Sequence, residues 1–135
     1  MTNFERGEML LREAAFCLSE IESAFESQEW NMVIRRAQEV VELCLKAIFK
    51  VLSVEYPKVH EVSGEFIRIC GQKKVGFSTA DGDRIATTSK WLAEKRSAAF
   101  YYEQLFTQEE AQFARDGAAW VHSTTKALAE RLKGH

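Results

Sequence analysis

Residues 94–104 read EKRSAAFYYEQ, and they put a guanidinium where a helix would ordinarily carry an apolar side chain. At about 100° per residue, Ile85, Leu92, Arg96 and Glu103 fall on one helical face. An unpaired charge on such a face is costly. Arg96 therefore calls for a carboxylate on another helix, backbone carbonyls, an anionic ligand or a subunit boundary. The planar fork of a guanidinium suits phosphate or carboxylate oxygens taken in pairs, and the small Ala98 and Ala99 leave room for them. Glu103 shares the face but lies roughly 10 Å along the axis, too far for a direct pair. His60, just after Pro57, can be read as a general base or as a local hydrogen-bond partner at the start of the next helix. Glu42 and Lys46 are spaced i,i+4 with the acid first, which reads as helix stabilisation of a few tenths of a kcal/mol rather than as chemistry.

Other chemistries find no support in the residue pattern. Cys17, Cys44 and Cys70 lie far apart on apolar helical stripes, and His60, His122 and His135 are equally scattered. The expectation is buried free thiols, no metal site and no cofactor. Neither a nucleophile elbow nor a glycine-rich phosphate loop is present. A formal net charge of −2 on 135 residues argues against a general, charge-driven nucleic-acid binder. The first residues, MTNFERGEM, carry no apolar segment of the secretory kind, and no stretch approaches the length of a membrane span. A cytoplasmic location follows as an expectation.

The elements that must position Arg96 are helical, since one proline and seven glycines interrupt the whole chain. Leu11, Ala14, Ala15, Leu18, Ile21 and Phe25 predict a helix from about residue 3 to 26. Trp30, Val33, Ala37, Val40, Val41, Cys44, Ile48 and Val51 predict a second, ending before Pro57. The short connection between them predicts an antiparallel hairpin. Val59, Val62, Phe66 and Ile69 propose a short third helix, and GQKKVGFSTADGD reads as the longest loop. Asp81 or Asp83 is the expected cap of a helix running through Ile85 and Leu92 to about Gln104. Thr107 with Glu110 has the capping-box pattern that opens the last helix. Its apolar face is broad, with Phe113, Trp120 and Ala127 to one side of the main stripe, which suits contact with a second subunit. The sum is one all-α domain over residues 1–135: an antiparallel up-down bundle of four long helices and one short one.

The run RAQEVVELCLKAIF, then EYPKVHEVSGEF, KRSAAFYYE and EEAQFARDGAAWVHSTTKAL, resembles the HEPN domain family over about residues 5 to 132. Ala37, Glu42, Lys46 and Ala47 match its second-helix pattern, and His60 and Val62 the lead into its short third helix. The resemblance implies a small helical homodimer of a kind often encoded beside a minimal nucleotidyltransferase. Many members are metal-independent ribonucleases whose motif is an arginine, a short spacer and a histidine, meeting its copy across the dimer. Arg96 matches the arginine. Tyr101 and Tyr102 stand where the histidine would, and a phenol with a pKa near 10 does not shuttle protons at neutral pH as imidazole does. Glu103 occupies the position of the family's modified tyrosine. The leading expectation is a nucleotide- or RNA-associated binding module, with Arg96, Tyr102, Glu103 and His60 as candidate ligand residues. The alternatives are a ribonuclease toxin using Arg96 and paired with a nucleotidyltransferase antitoxin, and a structural dimerisation bundle.

Overall fold

Residues 1–133 are described by a computed structural model, and they form five helices and no strand. These are α1 (Asn3–Glu26), α2 (Trp30–Val51), α3 (Ser63–Gln72), α4 (Thr79–Phe100) and α5 (Gln108–Leu132). The all-α class and the four long helices with one short one agree with the sequence reading. His135 lies outside the described residues.

Side chains set where the helices begin. Thr2 and Glu5 form a capping box on α1, with hydrogen bonds of 3.0 and 2.9 Å, and Thr107 and Glu110 do the same on α5. The start of α4 differs from expectation. Ser78, not Asp81 or Asp83, is the cap, its hydroxyl accepting the Asp81 N–H at 3.1 Å. Half of the glycine-rich segment is therefore helix, and Gly82 packs tightly on Phe77, where a Cβ would sit 3.0 Å from the ring and the ring would have to give slightly. The third helix also starts later than proposed, and Val59 lies exposed before it.

The first four helices end alike. Gln28, Ser53, Lys74 and Tyr102 adopt left-handed backbone, with φ between 54° and 60°. The next residue's N–H reaches back to close the end: Glu29 to Ala24 O, Val54 to Phe49 O, Val75 to Cys70 O and Glu103 to Ala98 O, all at 2.9–3.0 Å. This is the Schellman closure, usually made with glycine. It stops α4 at Phe100, four residues short of the expected Gln104.

The core gathers on α2, which packs against each of the other four helices. Val33, Ile34, Ala37, Val40, Val41, Cys44, Leu45, Ala47, Ile48 and Phe49 of α2 are all buried. Along α1, Gly7 meets Val51 and Ala47, Cys17 meets Glu39, Glu20 pairs with Arg36, and Phe25 packs on Trp30. Gly7 is required there: a Cβ would lie 2.6 Å from Val51 Cγ2 and 2.8 Å from the Ala47 carbonyl. Gly117 does the same for α5 against α4, where a Cβ would lie 2.9 Å from Thr88 Cγ2.

One buried polar side chain fixes the α4–α5 turn. Asn31, 5% exposed, donates to Ala99 O at 3.2 Å and Gln104 O at 2.8 Å, and accepts the Phe106 N–H at 3.0 Å. The start of α2 thereby grips the chain on both sides of Tyr101, Tyr102 and Glu103.

Candidate functional site

Arg96 comes from the last turns of α4 and is half-buried. Its Nη1 donates to Nε2 of His60 at 3.0 Å. His60 sits in the segment between α2 and α3, and its Nδ1–H donates to Glu42 Oε1 of α2 at 2.8 Å. Glu42 Oε2 accepts from Lys46 Nζ at 2.7 Å. Four residues from three segments thus form one chain, Lys46–Glu42–His60–Arg96. The partners fix the tautomer: the carboxylate takes the Nδ1 proton and the guanidinium faces the Nε2 lone pair.

Glu42 anchors this chain. Burial pushes its carboxyl up, but hydrogen bonds from Lys46, Gln38 and His60 outweigh burial and hold it below the usual carboxylate range. Gln38, 2% exposed, donates to Glu42 Oε1 at 2.9 Å, while its own buried Oε1 has no hydrogen-bond partner among the described residues. The reverse orientation of the amide would set oxygen against carboxylate, so Gln38 is spent on Glu42.

Glu61, next along, ties the His60 segment to its neighbours. Its Oε1 accepts the Ser63 N–H at 2.9 Å, at the start of α3, and the Ser89 hydroxyl of α4 at 2.7 Å. Burial raises the Glu61 carboxyl, and the bonds from Ser63 and Ser89 bring it below its ordinary value. His60 itself is 54% exposed in its side chain, so the imidazole is held by partners rather than by packing.

Arg96 has no carboxylate partner among the described residues. Of the four partners weighed from sequence, the carboxylate on another helix is not found among the described residues, and a histidine stands in its place. Of the four candidate ligand residues, the structure joins Arg96 and His60. Tyr102 and Glu103 lie past the end of α4, both exposed, with no side-chain hydrogen bond to Arg96 among the described residues. The Glu103 N–H closes the helix end instead. Glu42 and Lys46, read from sequence as a surface pair, belong to the site; their side chains are only 19% and 14% exposed. Gln38 gave no signal beyond its place one turn before Glu42.

The cysteines stand apart from this chemistry. Burial pushes the Cys44 and Cys70 thiols up to about 12. No cluster of three or more potential metal ligands occurs among the described residues, and no described helix is long and apolar enough to cross a membrane.

The domain is built on one central helix, and a guanidinium, an imidazole and a carboxylate are linked in it between helix and loop. A family model for the HEPN domain matches residues 8–128, most of the chain, and the protein belongs to the HEPN domain family. HEPN domains are nucleotide- or RNA-associated modules, often ribonucleases, and they commonly dimerise. No curated protein and no solved structure matches the chain.

Proposed function

We propose that this HEPN domain binds the phosphate groups of nucleotides or RNA at Arg96, with His60 as its working neighbour. The observation that supports this is the 3.0 Å contact between Arg96 and the His60 imidazole, with no carboxylate on the guanidinium among the described residues. A buried structural arginine is ordinarily paired with an acid. One that serves an anion is better left with a partner it can leave. Tyr102, 58% exposed, is the stacking neighbour for a bound base in this reading, and Glu103 borders it. The test is titration of the full-length protein with uridine monophosphate and with a uridine oligonucleotide. Arg96→Ala should remove binding while lowering the melting temperature by only about 2–5 °C; a wild-type protein that binds neither probe overturns the reading.

The Glu42–His60 hydrogen bond favours a second reading, metal-independent RNA cleavage. A phosphate that draws Arg96 away frees Nε2 of His60, whose Nδ1–H stays on Glu42. That nitrogen can take the proton of a ribose 2′-hydroxyl as its oxygen attacks the adjacent phosphorus. The 5′-oxygen then leaves with a proton from solvent, giving a 2′,3′-cyclic phosphate. His60 would supply, from a loop, the imidazole that the Arg96 helix lacks. Cleavage of a single-stranded RNA in excess chelator, abolished by His60→Ala, is the expected result; intact RNA overturns it.

The working unit in this proposal is a homodimer of antiparallel up-down bundles. The pairings of Gly7 with Val51, Cys17 with Glu39 and Glu20 with Arg36 support the antiparallel packing. Exposed Phe113 on α5 and Leu105 before it, 48% and 77% exposed, support a second subunit. Sedimentation at micromolar concentration should give twice the 15.4 kDa chain mass.

A further inference from the structure

Four side chains, Arg35, Glu42, Lys46 and Lys50, lie within about 80° of one another around α2, and Arg35 and Lys50 are about 22 Å apart along it. Glu42 is the acid that holds His60. The cations on either side of it are each set against an aromatic ring. Arg35 Cζ lies 4.4 Å from the centre of the Phe100 ring, one turn past Arg96 on α4. At the other end, Lys46 Nζ and Lys50 Nζ lie 5.2 and 5.4 Å from the centre of the Tyr56 ring.

Arg35 and Lys50 differ from Lys46, which is paired with Glu42, and from the other cation beside them. Arg36, one residue from Arg35, is paired with both Glu20 and Glu39, at 3.5 and 2.7 Å. Arg35, Lys50 and Lys58 have no carboxylate partner among the described residues, which is also the condition of Arg96. Cation–π contact fixes the Arg35 and Lys50 side chains without neutralising them. An anion arriving there meets charges already ordered, so less side-chain entropy is lost on binding.

Each end also offers space for more than a phosphate. Beyond Lys50 a cavity of about 380 Å³ is lined by Asn3, Lys50, Ser53, Glu55, Tyr56 and Lys58. Lys50 and Lys58 suit a phosphate, and Ser53 and Glu55 can accept hydrogen bonds from ribose hydroxyls. Beside Arg35, Phe100 and Tyr101 pack edge to face at 4.9 Å and are 50% and 69% exposed, surface on which bases can stack.

We infer that the Arg96 site is the middle of a track for an extended single strand of RNA. One flanking subsite is formed by Arg35 and Phe100, the other by Lys50, Tyr56 and Lys58. The inference rests on the phosphate-binding reading of Arg96 and adds the length and path of the ligand. A mononucleotide fills the centre alone. An oligonucleotide also reaches the ends, and each further phosphate neutralised there steepens the salt dependence by roughly 0.7 in log–log slope.

The experiment compares uridine monophosphate with a 2′-fluoro uridine dodecamer, which cannot be cleaved through its 2′-position, by fluorescence and calorimetric titration of the full-length protein. Wild type should bind the dodecamer about tenfold or more tightly than the mononucleotide, with a steeper salt slope. The Arg35→Gln/Lys50→Gln variant should lose that advantage and the added slope, and keep wild-type affinity for the mononucleotide. Arg12→Gln, on α1 away from the track, should change neither. A dodecamer bound no more tightly than the mononucleotide overturns the track and leaves the Arg96 reading standing. An equal loss in Arg12→Gln overturns it as well, because the effect is then general charge. Failure of wild type to bind either probe overturns both readings.

Discussion

Arg96 and His60 touch at 3.0 Å across thirty-six residues of sequence, one on a helix and the other in an exposed connection. Neither element brings them together alone. α4 carries Arg96, Glu42 of α2 turns the imidazole, and Glu61 fastens the connection to α3 and α4 through Ser63 and Ser89. The contact is therefore a product of the tertiary fold. Each single variant, Arg96→Ala or His60→Ala, should lower stability by about 1 kcal/mol, the usual net worth of one hydrogen bond. A double-mutant cycle by denaturant unfolding should return a coupling of about 0.5–1.5 kcal/mol. A loss above about 3 kcal/mol in Arg96→Ala would instead mark a hidden acid left unpaired.

Glu42 gives the site a pH dependence with a definite sign. Its carboxyl is held below its unfolded value of 4.5 by Lys46, Gln38 and His60 against the opposing effect of burial. The stability it contributes is present above the unfolded value and is lost as the pH falls through the folded one. Wild type should therefore lead Glu42→Gln in urea midpoint at pH 7, with the lead shrinking as the pH drops below the carboxylate range. A lead that is constant across that range would show that Glu42 does not titrate as a paired carboxylate.

Asn31 holds the α4–α5 turn through three hydrogen bonds and lies outside the proposed chemistry. Asn31→Ala removes three hydrogen bonds and orphans the Phe106 N–H and the carbonyls of Ala99 and Gln104. The expected cost is about 2–4 kcal/mol, read from thermal or urea unfolding. Asn31→Asp should be no better, since a carboxylate would face both carbonyls in place of the donating amide.

Helix content and the core were legible because α2 repeats apolar residues at helical spacing and the connections are short. The capping boxes at Thr2 and Thr107 are local patterns, and the second of them can be read directly. What escaped was set by contacts between distant segments. The end of α4 depends on a left-handed Tyr102, which no apolar periodicity announces. The grip of Asn31 on residues 99–106 joins positions about seventy apart. Arg96 stood out as a charge on an apolar face, and His60 as an imidazole near a proline. Their meeting was not visible, because an exposed connection has no period from which to infer its direction. Glu42 and Lys46 form the i,i+4 pair that their spacing predicts; the further contact of Glu42 with His60 was not visible, because helical spacing is silent on partners from another segment.

Tyr102 separates strain from function. A side chain in left-handed backbone costs roughly 1–2 kcal/mol, partly offset by the extra unfolded-state freedom that glycine brings, about 0.4–1 kcal/mol. Because the ring is exposed, Tyr102→Gly should be neutral or stabilising by up to about 1 kcal/mol. Oligonucleotide affinity should fall in the same variant. Gain in melting temperature with loss of binding is the expected pair; unchanged binding would remove Tyr102 from the ligand surface.

Residues 57–60 are exposed throughout and supply no side chain to the core, yet they deliver the imidazole. Chemistry and architecture are thus written in different residues of this protein. A lineage can lengthen, shorten or rewrite this short connection, and so move or lose the imidazole, while the helices around α2 keep folding as before. Loss of that imidazole would leave behind a stable helical scaffold rather than an unfolded relic.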